Sequence, residues 1–199
     1  GLLALHVGWR RRARPWPEAT GWARIPAAPA PRSSFALGEE RVNLAWLGHS
    51  GFLLEWRGVR LLLDPHLSDR VTISPRLMER PIEPGDLGAV DAALVSHAHR
   101  DHLDPATLSA VPEIRALLVP RGSEGYVAPL PGNVERVVPL APGESTTVGP
   151  LAITAEVAFH HGHRDHPLAS AKIAVGWVIR GGGRAIYFLA EASAMRFLL

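Results

Sequence analysis

The sequence predicts an α/β fold in which sheets pack as a sandwich with helices on the outside. Three observations carry that expectation. Apolar runs of strand length outnumber helical patterns along the chain. The helical stretches fall in the middle with strands on both sides, which suits a sandwich better than a doubly wound parallel sheet. With 199 residues, 47% of them hydrophobic and 20% charged, the chain can bury one sizeable core.

Residues 1–38 read as a Pro/Arg-rich arm or linker, and 39–199 as the folded domain. Pro15, Pro17, Pro26, Pro29 and Pro31 stand among alanines and arginines and favour an extended, poorly packed segment. From Arg41 the pattern changes. Val42, Leu44 and Trp46 alternate with polar or small neighbours, Gly48-His49-Ser50-Gly51 interrupts, and residues 52–56 resume, which implies two strands. Arg57-Gly58 is a tight-turn signal, and 59–63 returns as a third strand ending in Asp64-Pro65. Residues 66–85 are rich in Pro, Arg and Ser and too long for a simple connection. They read as a lid or substrate wall, or as a variable surface insertion.

Residues 92–95 are an apolar run expected as a buried strand. Asp104 can cap a short helix over 105–110, with Pro105 at its first position. A strand over 114–119, a turn or helix over 122–127 and a strand over 134–140 follow. Residues 145–148 and 151–159 join at Gly149-Pro150 as a hairpin. Residues 172–179 and 185–189 form a second pair across Gly181-Gly182-Gly183.

The chemistry concentrates in Ser96-His97-Ala98-His99-Arg100-Asp101-His102. Alternate residues of an extended segment point the same way, so His97 and His99 can converge on one ion. Asp101 and His102, past the strand end, can turn toward a second. A second cluster, His160-His161-Gly162-His163-Arg164-Asp165-His166, repeats the spacing, but it runs into Pro167 with Gly162 inside it and no helix signal after it. From it only His160, at a strand end, is expected as a ligand. His161, His163, Asp165 and His166 are expected in a solvated loop. His49 and Asp64 each allow two readings: a turn residue satisfied by backbone, or a group that orients a metal ligand.

Composition narrows the alternatives. There are no cysteines, which excludes disulfides and thiolate ligands and leaves a metal to nitrogen and oxygen donors. The formal charge is +2, and Arg10, Arg11, Arg12, Arg14 and Arg24 describe the tail more than the domain. The chain opens on Gly1 and closes on the apolar run Phe197-Leu198-Leu199, and both ends read as cut. Residues 2–7 read as the tail of an anchor or signal segment, too short to span a bilayer. Localisation is left open by the sequence, cytoplasmic or membrane-associated, and oligomeric state is not encoded in any visible feature.

With these motifs in place, the chain resembles the metallo-β-lactamase-fold hydrolases. The likeness is to the branch that includes N-acyl phosphatidylethanolamine phospholipase D and the ascorbate-phosphate lactonase-like proteins. Trp46-Leu47-Gly48-His49-Ser50, Leu63-Asp64-Pro65, Ser68-Asp69-Arg70 and the stretch 91–104 match that branch in order and spacing. The resemblance implies a four-layer αβ/βα sandwich, truncated at its C-terminal end, and up to two zinc ions. His97, His99 and His160 would hold the first. Asp101 and His102 would hold the second, with a bridging carboxylate and a final His far downstream. Glu191 stands where the family carries the bridging Asp, and the final His is absent from the 199 residues.

The function so implied is a zinc-dependent hydrolase whose metal-activated hydroxide attacks an ester, with Asp101 orienting it and taking its proton. The arginines over 70–80 tilt the substrate toward a phosphodiester or phospholipid-type ester, since guanidinium suits phosphate geometry. A lactone hydrolase of the same fold and a non-catalytic metal-binding remnant are the alternatives. The expected partner is a small-molecule or lipid ester. No nucleic acid partner is expected, and Arg10 to Arg14 together with the apolar residues 2–7 are the features that would favour a membrane surface.

Overall fold

The structure, a computed structural model, describes residues 32–127, 132–160, 173–190 and 194–198. The strands in chain order are β1 (Arg32–Leu37), β2 (Glu40–Gly48), β3 (Gly51–Trp56), β4 (Val59–Leu63), β5 (Arg70–Val71), β6 (Ser74–Pro75), β7 (Ala89–Val90), β8 (Ala92–Leu94), β9 (Glu113–Ile114), β10 (Leu117–Pro120), β11 (Val137–Leu140), β12 (Ser145–Val148), β13 (Leu151–Val157), β14 (Val175–Gly181), β15 (Arg184–Leu189) and β16 (Ala194–Leu198). One α-helix, α1 (Pro105–Ala110), follows β8. Single 3₁₀ turns occupy Pro84–Leu87 and Glu124–Tyr126.

Seven strands form one sheet in the order β1-β2-β3-β4-β8-β10-β11, and five form a second in the order β12-β13-β14-β15-β16. The first sheet is antiparallel from β1 to β4 and parallel from β4 through β8 and β10 to β11. The second is an antiparallel meander. Two sheets packed on a shared core, with α1 over the outer face of the first, are the sandwich that the sequence predicts and that the resemblance implies.

The central strands show why they read as unbroken apolar runs. Leu61 and Leu63 of β4, Ala92 and Leu94 of β8 and Leu118 of β10 belong to the core between the sheets, with Ile153, Ala155, Trp177, Ile179 and Phe188. The alternating residues Leu62, Ala93, Leu117 and Val119 belong to a second core with Leu103, Leu108 and Val111, which lies under α1. A strand buried on both faces needs an apolar side chain at every position. Each such leucine contributes about 1.5–3 kcal/mol by leaving water.

Helix α1 has six residues and is too short to stand alone. Its cap and its packing hold it. Asp104 accepts from the Ala106 amide at 3.2 Å, as expected of an N-cap before Pro105. Thr107 and Leu108 turn inward and are buried.

Two boundaries differ from the sequence reading. The arm expected over 1–38 stops earlier, because Arg32–Leu37 is an edge strand paired antiparallel to β2, with Phe35 opposite Val42. Gly38, at φ 67°, makes the turn between them, so the apolar stretch that follows the last proline had a hairpin partner a few residues on. The expected strand over 114–119 divides into β9 and β10, with β9 leaving the main sheet to pair with β7. Among the described residues no helix is long and apolar enough to cross a membrane.

Candidate metal centre

Four elements deliver the expected residues to one edge of the sandwich. β8 runs into the segment 96–102, β4 ends at Asp64, the β2–β3 turn carries His49, and the chain leaving β13 carries His160. The parallel strands β4 and β8 both end here, where loops can diverge and leave a crevice. Val175 N donates to Ser96 O at 2.9 Å and ties the second sheet to the motif.

His97, His99 and His160 come together with one ring nitrogen each, the three within 4.8 Å of one another. His97 Nε2 and His99 Nδ1 are 2.9 Å apart, and His160 Nε2 is 3.2 Å from the same His99 nitrogen. Burial pushes the His97 imidazole down to about 2, helped by His102, His99 and His160 around it. His97 therefore stays neutral at any ordinary pH, which is the form that binds a cation.

A second group adjoins the first. His49, Asp101 and His102 each offer a donor atom within 4.8 Å of the others. The His97 and His102 rings lie 4.1 Å apart, centroid to centroid, so the two groups share a wall. His49 Nε2 is 3.0 Å from Asp101 Oδ2, and His102 Nε2 is 3.5 Å from the same oxygen. Burial alone would raise the Asp101 carboxyl, but the bond from His49 and the field of His102 outweigh it and hold the group well below the usual carboxylate range. An ionised Asp101 accepts, so His49 donates its Nε2 proton. His49 thus orients Asp101 in this arrangement, and its own nitrogen reaches a cation only if that bond gives way.

Asp64 organises both groups from beneath. It is fully buried. Its Oδ1 accepts from Ser96 N at 2.7 Å, and its Oδ2 accepts from Ser96 Oγ at 2.6 Å and His102 Nδ1 at 2.8 Å. Because the Ser96 hydroxyl donates to Asp64, its oxygen accepts from His97 Nδ1 at 2.9 Å. One carboxylate therefore fixes two tautomers: His102 directly and His97 through Ser96. Both rings are left with Nε2 facing the clusters. Asp64 and His49 hold positive φ, 40° and 52°, and Trp46 Nε1 donates to His49 O at 2.9 Å to secure that turn.

The donor chemistry fits a metal. Imidazole nitrogens converge with no carboxylate among the first three, a carboxylate joins the second group, and no thiol is present, a set that suits zinc, iron or nickel.

The long segment after β4 forms a wall. Asp104 accepts from Ser68 Oγ at 2.6 Å and Thr107 Oγ1 at 2.5 Å, and Leu67 N donates to Thr107 Oγ1 at 2.8 Å, which pins residues 66–68 to α1. Beyond it, the small β5–β6 hairpin and residues 76–78 close a cleft of about 410 Å³ whose lining includes Trp46, His49, His66, Arg76, Leu77 and Asp101.

The structure thus brings together His97, His99 and His160, and Asp101 with His102, and it places His49 and Asp64 where they orient those groups. Glu191, His161, His163, Asp165 and His166 lie outside the described residues. Ser96 and Arg76 were missed as individual residues. Ser96 had no signal beyond its place in the motif, since its partners are 32 residues upstream and in the other sheet.

Known proteins resemble this chain over most of its described length. Residues 59–196 match the β-lactamase superfamily domain, and the chain belongs to that family. An uncharacterized protein of Mycobacterium tuberculosis (strain H37Rv) is 33% identical over 176 residues, covering 83% of this chain and 47% of the relative. The N-acyl-phosphatidylethanolamine-hydrolyzing phospholipase D 1 of Caenorhabditis elegans is 27% identical over 168 residues, covering 75% of this chain and 46% of the relative. The chain spans about half the length of these two relatives. Among solved structures, the isothiocyanate hydrolase from Delia radicum gut bacteria superposes with TM-score 0.53 at 24% identity, covering 72% of this chain and 60% of that one. The diiron β-hydroxylase CmlA of Streptomyces venezuelae gives 0.52 at 24% identity, covering 78% and 30%. At that identity these two speak to the fold alone.

Proposed function

We propose that the protein is a zinc-dependent hydrolase acting on a phosphodiester or phospholipid-type ester. The observation that carries the reading is the pair of adjoining donor groups, His97/His99/His160 and His49/Asp101/His102, with His49 and Asp101 opening onto the cleft. His97, His99 and His160 would hold one ion, and Asp101 and His102 a second. Bound zinc would bring the pKa of water near neutrality and stabilise the oxyanion that develops.

The chain's own residues then orient and hold. Asp101, kept ionised and aimed by His49, accepts a hydrogen bond from the attacking water and fixes its direction. A carboxylate held so far below its usual range is a poor store for a proton. Of the two tasks that the sequence reading gives Asp101, orienting the water and taking its proton, orientation is the main one. Trp46, Val71, Leu77 and Met78 line the cleft with apolar surface that would receive the hydrocarbon part of an ester. The phospholipase D relative supports the phosphodiester class over a lactone.

Turnover decides the class. Zinc-loaded full chain is expected to hydrolyse bis(4-nitrophenyl) phosphate faster than a γ-lactone reporter, and to lose the activity on chelation. Faster lactone turnover would move the substrate class. Tightly held zinc with no turnover of either reporter would make the chain a metal-binding protein without catalysis.

A further inference from the structure

The segment after β4 carries three arginines, Arg70, Arg76 and Arg80, and they are not equivalent. Arg70 is exposed and donates to the carbonyl of Ile73 at 3.4 Å. Arg80 is neutralised by Glu83 at 3.2 Å and Asp69 at 3.9 Å. Arg76 is half-buried, lines the cleft beside His49 and Asp101, and makes no ion pair with a described carboxylate. Two backbone carbonyls hold it instead: Nε donates to Ser68 O at 3.2 Å, and Nη2 donates to His66 O. Those carbonyls belong to the segment that Asp104 pins to α1, so the guanidinium sits on a rigid support.

The third nitrogen, Nη1, reaches the β2–β3 turn. It lies 2.6 Å from the point a Cβ on residue 48 would occupy, which only a glycine leaves vacant, and Gly48 has φ 95° besides. The cation is thereby placed one residue from His49, which holds Asp101. Burial and the neighbouring Arg80 disfavour the charged guanidinium, and Asp69 and Asp104 favour it only from beyond contact distance, so an anion that completes it is welcome. Its planar fork matches the oxygens of a phosphoryl group.

We infer that Arg76 is the specificity-determining residue that takes the anionic phosphoryl group of the substrate, holding it against the His49–Asp101 edge of the metal centre. This rests on the phosphoester reading above and names the residue that selects an anionic substrate over a neutral one. Carbonyl tethers on Nε and Nη2 leave the Nη1 hydrogens and one on Nη2 for the phosphoryl oxygens, and they set that edge before the substrate arrives, so little side-chain freedom is lost on binding.

Binding, not turnover, tests it. Calorimetric titration of the metal-loaded full chain with dimethyl phosphate, and separately with inorganic phosphate, reads binding at the site apart from turnover. Arg76→Gln is expected to weaken the tighter of the two about tenfold or more, Arg76→Lys to weaken it by less, and Arg70→Gln to leave it unchanged. Tighter dimethyl phosphate marks a diester subsite, and tighter inorganic phosphate a monoester one. Either supports the assignment. Should Arg76→Gln unfold early in a melting curve, Arg76→Lys carries the test, since it keeps the charge and loses the fork.

Binding unchanged in the Arg76 variants, equal loss in Arg70→Gln, or no phosphate binding by the parent chain would overturn the assignment. Failure of the hydrolase reading looks different: zinc-loaded parent chain would bind dimethyl phosphate in an Arg76-dependent way and turn over no phosphodiester.

Discussion

Replacing Asp101 with Ala is expected to abolish hydrolysis while leaving most of the fold in place. Its carboxylate contacts are His49 and His102, neither of which belongs to an apolar core, and a third of its side chain faces solvent. Removing it takes away the acceptor that fixes the attacking water and the anionic donor of the second group. A loss of about 10²-fold or more in kcat is the scale for losing the alignment of an attacking group. The stability cost is about 1–2 kcal/mol, a hydrogen bond to a charged group discounted for the solvent that reaches it. Rate and melting temperature measured on the same preparation check this. Retained turnover, or a collapse of the fold, would contradict the role given to Asp101.

Asp64→Asn separates charge from shape. Asn tolerates the positive φ at this position, so the backbone is not in question. The difficulty is the donor count. Three hydrogens, from Ser96 N, Ser96 Oγ and His102 Nδ1, point at the two carboxylate oxygens, and an amide meets at least one of them with its own N–H. In a fully buried position that leaves polar groups unsatisfied at a cost on the order of 2–4 kcal/mol. It also frees the His102 ring and loosens His97 through Ser96. Zinc affinity is expected to fall about 10- to 100-fold, the usual consequence of losing a group that orients metal ligands. Competition against a chromogenic chelator reads the affinity, and thermal unfolding reads the stability.

These effects bear on what could be seen in the linear chain. His97 and His99 were legible because a two-residue spacing on a strand end is a local rule. The Asp104–Pro105 cap was legible for the same reason. Leu61 to Leu63 and Ala92 to Leu94 announced doubly buried strands by having no polar alternation. His160 could be placed by its strand end, since β13 carries it to the same edge as β8.

What escaped depends on contacts between distant parts of the chain. Asp64 was visible as a polar residue after an apolar run, but its three bonds required knowing that β4 and β8 lie side by side. His49 could not be assigned between turn and site until Asp101, 52 residues later, was found 3.0 Å from its ring. Arg76 looked like one of several loop arginines. Only the fold distinguishes it, because it alone of Arg70, Arg76 and Arg80 lines the cleft. The edge strand β1 was hidden by the prolines just before it, which drew the domain boundary too late.

Metal content is the most direct test of the claim that side chains from four separate elements meet around bound cations. Purified full chain, analysed by plasma mass spectrometry after exhaustive dialysis, is expected to retain about one to two zinc ions per chain. The double change His97→Ala with His99→Ala should reduce this to background, and His163→Ala with His166→Ala should leave it nearly intact. Zinc lost from the second pair and kept by the first would place the cation on the other histidine cluster and contradict the centre described for this protein.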